Sequence, residues 1–483
     1  MRSFCASVLL AAAVAPAWIQ ADDLPDPDVV ASAMRRASDF AVARLASHGG
    51  YASAWKRDLA TAMVEGKTSR TVISIQPPGT TTVGLAMLRA WEATGDDAFL
   101  AAARGAARAL MDCQLVSGGW ESDFDFEGGD PQRHFLRRAF LAGDTDQGKR
   151  RNESTLDDNK TQSALLFLLE LAHTVPGRSD PDLQAALRHG MDGLLAAQNR
   201  IGSWPQKFDG PAPQDGIVAK ASIPEDWPKK WPDAKYSRFH TLNDGNLERI
   251  VHLLLRAHDL TGEDRYRNAA RRVGDFLLLA QFDPPQAGWA QQYNERMEPV
   301  WARKFEPPSL SSSESFGAAA TLFELWLATG DEAYRASLPG ALDWLERSRL
   351  PGGGWARFYE LRTNRPLYCE AGSYRLTYED SNLPTHYGFK IADSLQDKIT
   401  RLRADLGRSR EELLSARRVP DSPGAWAKAA RNLRGKVRAA LESQAEEGVW
   451  LNDDGEIDAE LLGKHLTAMA SYVHASRRAS ASR

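Results

Sequence analysis

One pattern recurs along the chain and restricts its fold more than any other feature. Three stretches carry it: LRAWEATGDDAFLAAARGAARALMDCQLVSGGW, LRAHDLTGEDRYRNAARRVGDFLLLAQFDPPQAGW and FELWLATGDEAYRASLPGALDWLERSRLPGGGW. Each opens on the apolar end of a helix and passes through Thr-Gly-acid, at Thr94-Gly95-Asp96, Thr261-Gly262-Glu263 and Thr329-Gly330-Asp331. Glycine suits the position just past a helix end, and an acid after it favours the next helix start. A second helix with apolar spacing near 3.6 follows, then a Gly-aromatic turn. Looser copies extend the series to turns at Tyr51, Trp120, Trp204, Trp289, Trp355 and Trp450. Strand-like alternation is scarce, so the pattern predicts an all-α chain of helix hairpins, closing as an open solenoid or as a ring.

Because every hairpin has the same polarity, the long Gly-aromatic loops and the helix starts after them should gather at one end. Those starts are rich in polar groups: Thr80-Thr81-Thr82, Thr155-Leu156-Asp157-Asp158-Asn159-Lys160, Thr241-Leu242-Asn243-Asp244 and Ser311-Ser312-Ser313-Glu314-Ser315. Capping needs one such residue per helix, so the remainder is expected to line a site. With 14 tryptophans gathered largely at turns, that end resembles a saccharide cleft, where flat rings cover sugar faces and polar groups hold hydroxyls.

Composition limits the partners. A net charge of -4 over 483 residues gives no general pull on nucleic acid, so anion binding must come from a local cluster. The first residues, MRSFCASVLLAAAVAPAWIQADD, have a positive start, an apolar run from Val8 to Val14 and a small-residue cleavage pattern at Ala15-Pro16-Ala17, with Ala21 as a second choice. They are expected to be a signal peptide over 1–21. No other run is long enough to cross a bilayer, so the expectation is a secreted or periplasmic monomer free of the membrane. Cys5 would leave with the leader; Cys113 and Cys369 form neither a disulfide framework nor a zinc site and are expected to be buried thiols. A main helical domain is expected over 22–395, with helices over 396–483 completing or capping it.

Candidate chemistry lies in a few stretches. STLDDNKT holds Asp157 and Asp158, FHTLNDGNLE holds Asp244, and EPVWARKFEPPSLSSSES holds Arg303 and Lys304. GGGWARFYELRTNRP places Trp355 beside Arg357, Arg362 and Arg365. Nucleophile-elbow, phosphate-loop and zinc-helix motifs do not occur. Carboxylates from separate repeats could share Ca2+ or act as the acid and base of a glycosidase. The arginines favour an acidic glycan, since arginine grips a carboxylate at two points.

Four stretches, TLDDNKT, WPQKF with FHTLNDGNLE, WAQQYNERMEPVWARKFEPPSLSSSES and WARFYELRTNRPLY, resemble the pectic acid lyase family, polysaccharide lyase family 10, in order and over about half the chain. The resemblance implies an (α/α) toroid that cleaves polygalacturonate by Ca2+-dependent β-elimination. It implies Arg303 as catalytic base, with a pKa depressed by nearby cations, and Asp157 and Asp244 as metal ligands. It further implies that Lys304, Arg357 and Arg365 meet substrate carboxylates, with Trp355 completing that wall of the cleft. Asp158, which stands where the family has Asn, is grouped with the substrate-binding residues. Alternatives are a uronan epimerase or another uronide lyase on the same ring, and an inactive glycan-binding protein.

Overall fold

In a computed structural model, which describes residues 24–481, the repeat resolves into paired helices. The expected leader, 1–21, lies outside the described residues. The longer helices are α1 (Pro27–Phe40), α2 (Thr80–Thr94), α3 (Asp97–Asp112), α4 (Lys160–Ala172), α5 (Pro181–Ala196) and α6 (Asn246–Thr261). They continue with α7 (Asp264–Ala280), α8 (Ser312–Thr329), α9 (Leu338–Arg347), α10 (Ser394–Leu406), α11 (Pro423–Ser443) and α12 (Ala459–Ser480). At the Thr-Gly-acid turns, Gly95, Gly262 and Gly330 are left-handed, and each donates its N–H back to a helix carbonyl. Asp96 and Asp331 then cap the following helices through the N–H of Ala98 and Ala333.

The fold is an (α/α) toroid. Its inner neighbours run α2, α4, α6 and α8 in turn, and α12 packs against α1, α2 and α11. The outer layer is stitched by glutamines that each bond their own turn and the adjacent repeat. Gln114 reaches Ala186 O, Gln198 reaches Ala269 O, Gln281 reaches Ser337 O, and Gln444 reaches Ala33 O at 2.9–3.1 Å. The last of these joins the two ends of the described chain, as do the pairing of Ala54–Trp55 with Ile457–Asp458 and the bond from Tyr472 to Pro25 O. Left-handed Gly202 fits the close approach: a Cβ there would lie 1.9 Å from Arg272 O.

The turn tryptophans have one shared role. Nε1 of Trp120, Trp204, Trp289, Trp355 and Trp450 donates to the carbonyl of Leu110, Leu194, Leu277, Leu345 and Ala440, each in the last turn of the preceding helix, at 2.7–2.8 Å. Helix ends leave their last carbonyls without intrahelical partners, and a buried indole N–H satisfies one. All five rings are buried. The expectation that these turns furnish a sugar platform is therefore overturned, Trp355 included; its ring lies wholly in the core.

Strands of two to four residues supplement the helices. Ser154–Thr155 pairs with Lys207–Phe208, His240–Thr241 with Gln292–Tyr293, and Leu310–Ser311 with Phe358–Tyr359. The N–H groups of Thr155, Thr241 and Ser311 also donate to the carbonyls of Trp120, Trp204 and Trp289. Each helix start is thus pinned to the tryptophan turn before it. Cys113 and Cys369 are buried free thiols, and no described helix is long and apolar enough to cross a membrane.

Candidate active site

Two of these pinned starts share one backbone shape. After Leu156 and Leu242 the chain makes a single turn of 3-10 helix, with Asp158 at φ 48°, ψ 34° and Asp244 at φ 52°, ψ 31°. The next residues, Asn159 and Gly245, are also left-handed, and α4 and α6 begin after them. Left-handed aspartates are uncommon and mark constrained turns. The register makes Asp158, not Asp157, the counterpart of Asp244; Asp157 corresponds to Asn243, and Lys160 to Asn246.

The two turns touch, and they bring one carboxylate oxygen each from Asp157, Asp158 and Asp244 within 4.8 Å of one another. Like charges at this range repel unless a cation or proton intervenes. Burial, with Glu314 and Asp157 adding to it, raises Asp244 to about 6. Asp158, expected among the substrate-binding groups, instead completes this acidic centre.

Cations approach from two sides. Arg357 Nη2 lies 3.3 Å from Glu314 Oε1 and 3.8 Å from Asp244 Oδ1. Burial opposes the charge of Arg357, but Glu314 leads the neighbouring anions that hold its pKa above the ordinary value. Lys160, with only 5% of its side chain exposed, places Nζ 3.4 Å from Asp158 Oδ2 and 3.7 Å from Asp157 Oδ2. Four carboxylates therefore face two cations.

Arg303 is joined to this group through Tyr387. The guanidinium carbons of Arg303 and Arg357 lie 5.4 and 4.7 Å from the Tyr387 ring centroid. The Tyr387 hydroxyl donates to Glu306 Oε1 at 3.0 Å, and Arg303 pairs with both oxygens of Glu306. The expected depression of Arg303 by neighbouring cations is overturned. Its hydrogen bonds to Glu306 raise its pKa well above the ordinary arginine value.

Lys304 and Arg365 are exposed and stack elsewhere, Lys304 Nζ 3.9 Å from the Tyr374 ring centroid and Arg365 Cζ 3.4 Å from that of Tyr378. None of the described ion pairs ties either to the acidic centre. Arg362 is spent on the backbone carbonyls of Pro224 and Glu225. The basic insert is also partly self-satisfied, since Arg150 grips Asp144 and lies over Phe135.

Sequence reasoning had not singled out Lys160, Glu306 or Tyr387 as parts of the site. Lys160 stood in a polar helix start expected to line the site, three residues after Asp157 and one helical turn away. A cavity of about 580 Å³ opens beside the centre between α6 and α8, lined by Asp244, Glu248, Glu314, Arg357 and Lys398 among others.

The donor set fits a hard cation. Ca2+ takes six to eight oxygens in loose geometry, and the centre offers carboxylates from both turns. Asp157 Oδ1 and Asn243 Oδ1 are buried there without a hydrogen-bond partner, and Asn243 is 3% exposed. Unsatisfied buried oxygens are costly and call for a ligand.

Residues 125–354 match the family model for pectic acid lyase, and they hold the acidic centre, Arg303 and the glycine turn before Trp355. Through this region the chain is similar to the pectic acid lyase family. Among solved structures it is similar to a mutant family 10 polysaccharide lyase from Cellvibrio cellulosa in complex with trigalacturonic acid. That match has 19% identity and TM-score 0.46, covering 67% of this chain and 99% of the other. A second structure of a family 10 polysaccharide lyase from that organism gives 20% identity and TM-score 0.44, covering 61% and 91%. An inactive variant of an α-1,6-mannanase from Salegentibacter sp. HEL1_6 gives 10% identity and TM-score 0.41, covering 93% and 100%. No curated protein matches the sequence.

Proposed function

We propose that this protein is a Ca2+-dependent lyase of pectate or a closely related uronan, acting outside the cytoplasm. The observation that carries the reading is the charge of the centre: Asp157, Asp158, Asp244 and Glu314 against Lys160 and Arg357. Alone, that balance repels a polyuronate; a divalent ion offsets it.

Asp157, Asp158 and Asp244 are the residues that would hold Ca2+. When bound, the ion would neutralise a uronate carboxylate and so acidify the proton beside it. Arg357, fixed by buried Glu314 and by Tyr387, presents a second, permanent positive charge to that carboxylate, stabilising charge that develops as the C5 proton leaves. The pair electrons left at C5 form the C4–C5 double bond, and the C4–O bond breaks.

Arg303 occupies the position that the family resemblance gives to the base. In its pair with Glu306 it is a cation. Proton abstraction by Arg303 therefore requires its guanidinium to leave Glu306 and lose a proton as substrate enters.

The test is the ultraviolet absorbance of the unsaturated product when the protein is incubated with polygalacturonate, with Ca2+ or with a chelator. A Ca2+-dependent rise supports the reading. A folded protein that yields reducing ends without absorbance is a glycosidase, and one that inverts C5 without cleavage is an epimerase.

A further inference from the structure

We propose that Lys160 is a built-in counter-ion that sets the affinity of the acidic centre for its divalent cation. The inference rests on the reading of that centre as a cation site.

The two pinned turns have the same backbone but different charges. One carries Asp157, Asp158 and Lys160; its counterpart carries Asn243, Asp244 and Asn246. Lysine is almost never buried without a partner. Here the whole side chain is covered, and its Nζ reaches toward both aspartates of its own turn. Each turn consequently contributes a single net negative charge, and Arg357 balances Glu314. Two net negative charges remain, which a divalent ion matches.

Lys160 has two opposed effects. It offsets the repulsion between the neighbouring carboxylates of Asp157 and Asp158. It also stands within a few ångströms of any ion these oxygens bind, and so weakens binding through like-charge repulsion. The second effect makes the ion exchangeable. Without Lys160 the turn would present two uncompensated carboxylates and hold the ion far more tightly.

The experiment is calorimetric titration of the chelator-treated, full-length protein with CaCl2. The variants are Lys160→Gln, Asp158→Asn and the double variant, each checked for fold by circular dichroism. Lys160→Gln should bind Ca2+ at least about tenfold more tightly than wild type, and Asp158→Asn about tenfold more weakly. The double variant, in which the two changes offset, should return to within about threefold of wild type. If Lys160→Gln fails to fold, the double variant compared with Asp158→Asn reads the same effect, and removing the lysine should again tighten binding. Equal or weaker binding on removal of Lys160 overturns the proposal. Absence of Ca2+ binding in all folded variants overturns both this proposal and the cation reading. The predicted order of affinities with no unsaturated product from polygalacturonate supports the counter-ion and overturns the lyase reading alone.

Discussion

Arg303 and Glu306 form a two-point pair, with Nε 2.8 Å from Oε2 and Nη2 2.6 Å from Oε1. The Arg303 backbone N–H donates to the same carboxylate at 2.9 Å. A buried anion that grips the guanidinium this fully keeps it charged.

The pair predicts a shift in pH dependence. If Arg303 removes the C5 proton, Glu306→Gln should lower its pKa and move the alkaline rise of kcat/KM to lower pH by about one unit or more. Initial rates on polygalacturonate across the pH range check this. An unmoved rise, with activity retained, would remove Arg303 from the role of base.

Arg357 should matter for stability as well as turnover. The Glu314 side chain is 3% exposed, and removing its partner leaves a buried charge uncompensated. Arg357→Ala is expected to cost roughly 3–5 kcal/mol of unfolding free energy. Adding Glu314→Gln should restore a good part of this, while activity stays low. Urea denaturation of the two variants gives both numbers.

Asp244 couples metal, proton and stability. Its folded-state pKa is raised to about 6 from 3.8, so the metal-free folded protein holds this proton more tightly than the unfolded chain. The resulting stabilisation is complete below the unfolded value and is lost as pH rises through about 6. The carboxylate is 35% exposed, so the effect is discounted for screening to roughly 1 kcal/mol. Half-buried His240, lowered to about 4, works in the opposite direction. The difference in melting temperature between wild type and Asp244→Asn, followed from about pH 4 to pH 7 without metal, separates the two. Ca2+ affinity should fall as pH drops below about 6, because the proton then competes for Asp244.

Trp355 should behave as a structural residue. Trp355→Phe removes the N–H that serves Leu345 O and should cost about 1–3 kcal/mol. KM for the polymer should not change among the molecules that remain folded. A raised KM with unchanged melting would return the ring to the substrate cleft.

The helix hairpins were legible because their signals are local. A glycine that ends a helix and an acid that opens the next act within a few residues, and Gly95-Asp96 and Gly330-Asp331 behave as their types dictate. The direction of a tryptophan is not local. Whether Trp355 faces sugar or Leu345 depends on how the preceding helix ends against the turn, and both outcomes have the same sequence. The meeting of Asp157 and Asp244 was expected only through the family resemblance; residue spacing does not give it, because their contact depends on short strands that pin two helix starts side by side. Lys160 was visible only as one member of a polar helix start, since only the fold covers it and turns it toward Asp157 and Asp158. The same limit applied to Arg303, whose partner three residues on was visible while the sign of its pKa change was not.

The join between Gln444 and Ala33, and between Tyr472 and Pro25, bears on how the protein is made. Helix α1 finds partners in α12 and α11, which are synthesised long after it. Contacts of such sequence separation form late and slow the folding search. During synthesis, the apolar face of α1 formed by Val30, Ala33, Met34 and Ala37 must wait for most of the chain to appear. A ring closed by its own ends thus has an aggregation-prone interval built into its birth, and conditions that shield α1 during that interval should raise the yield of native protein.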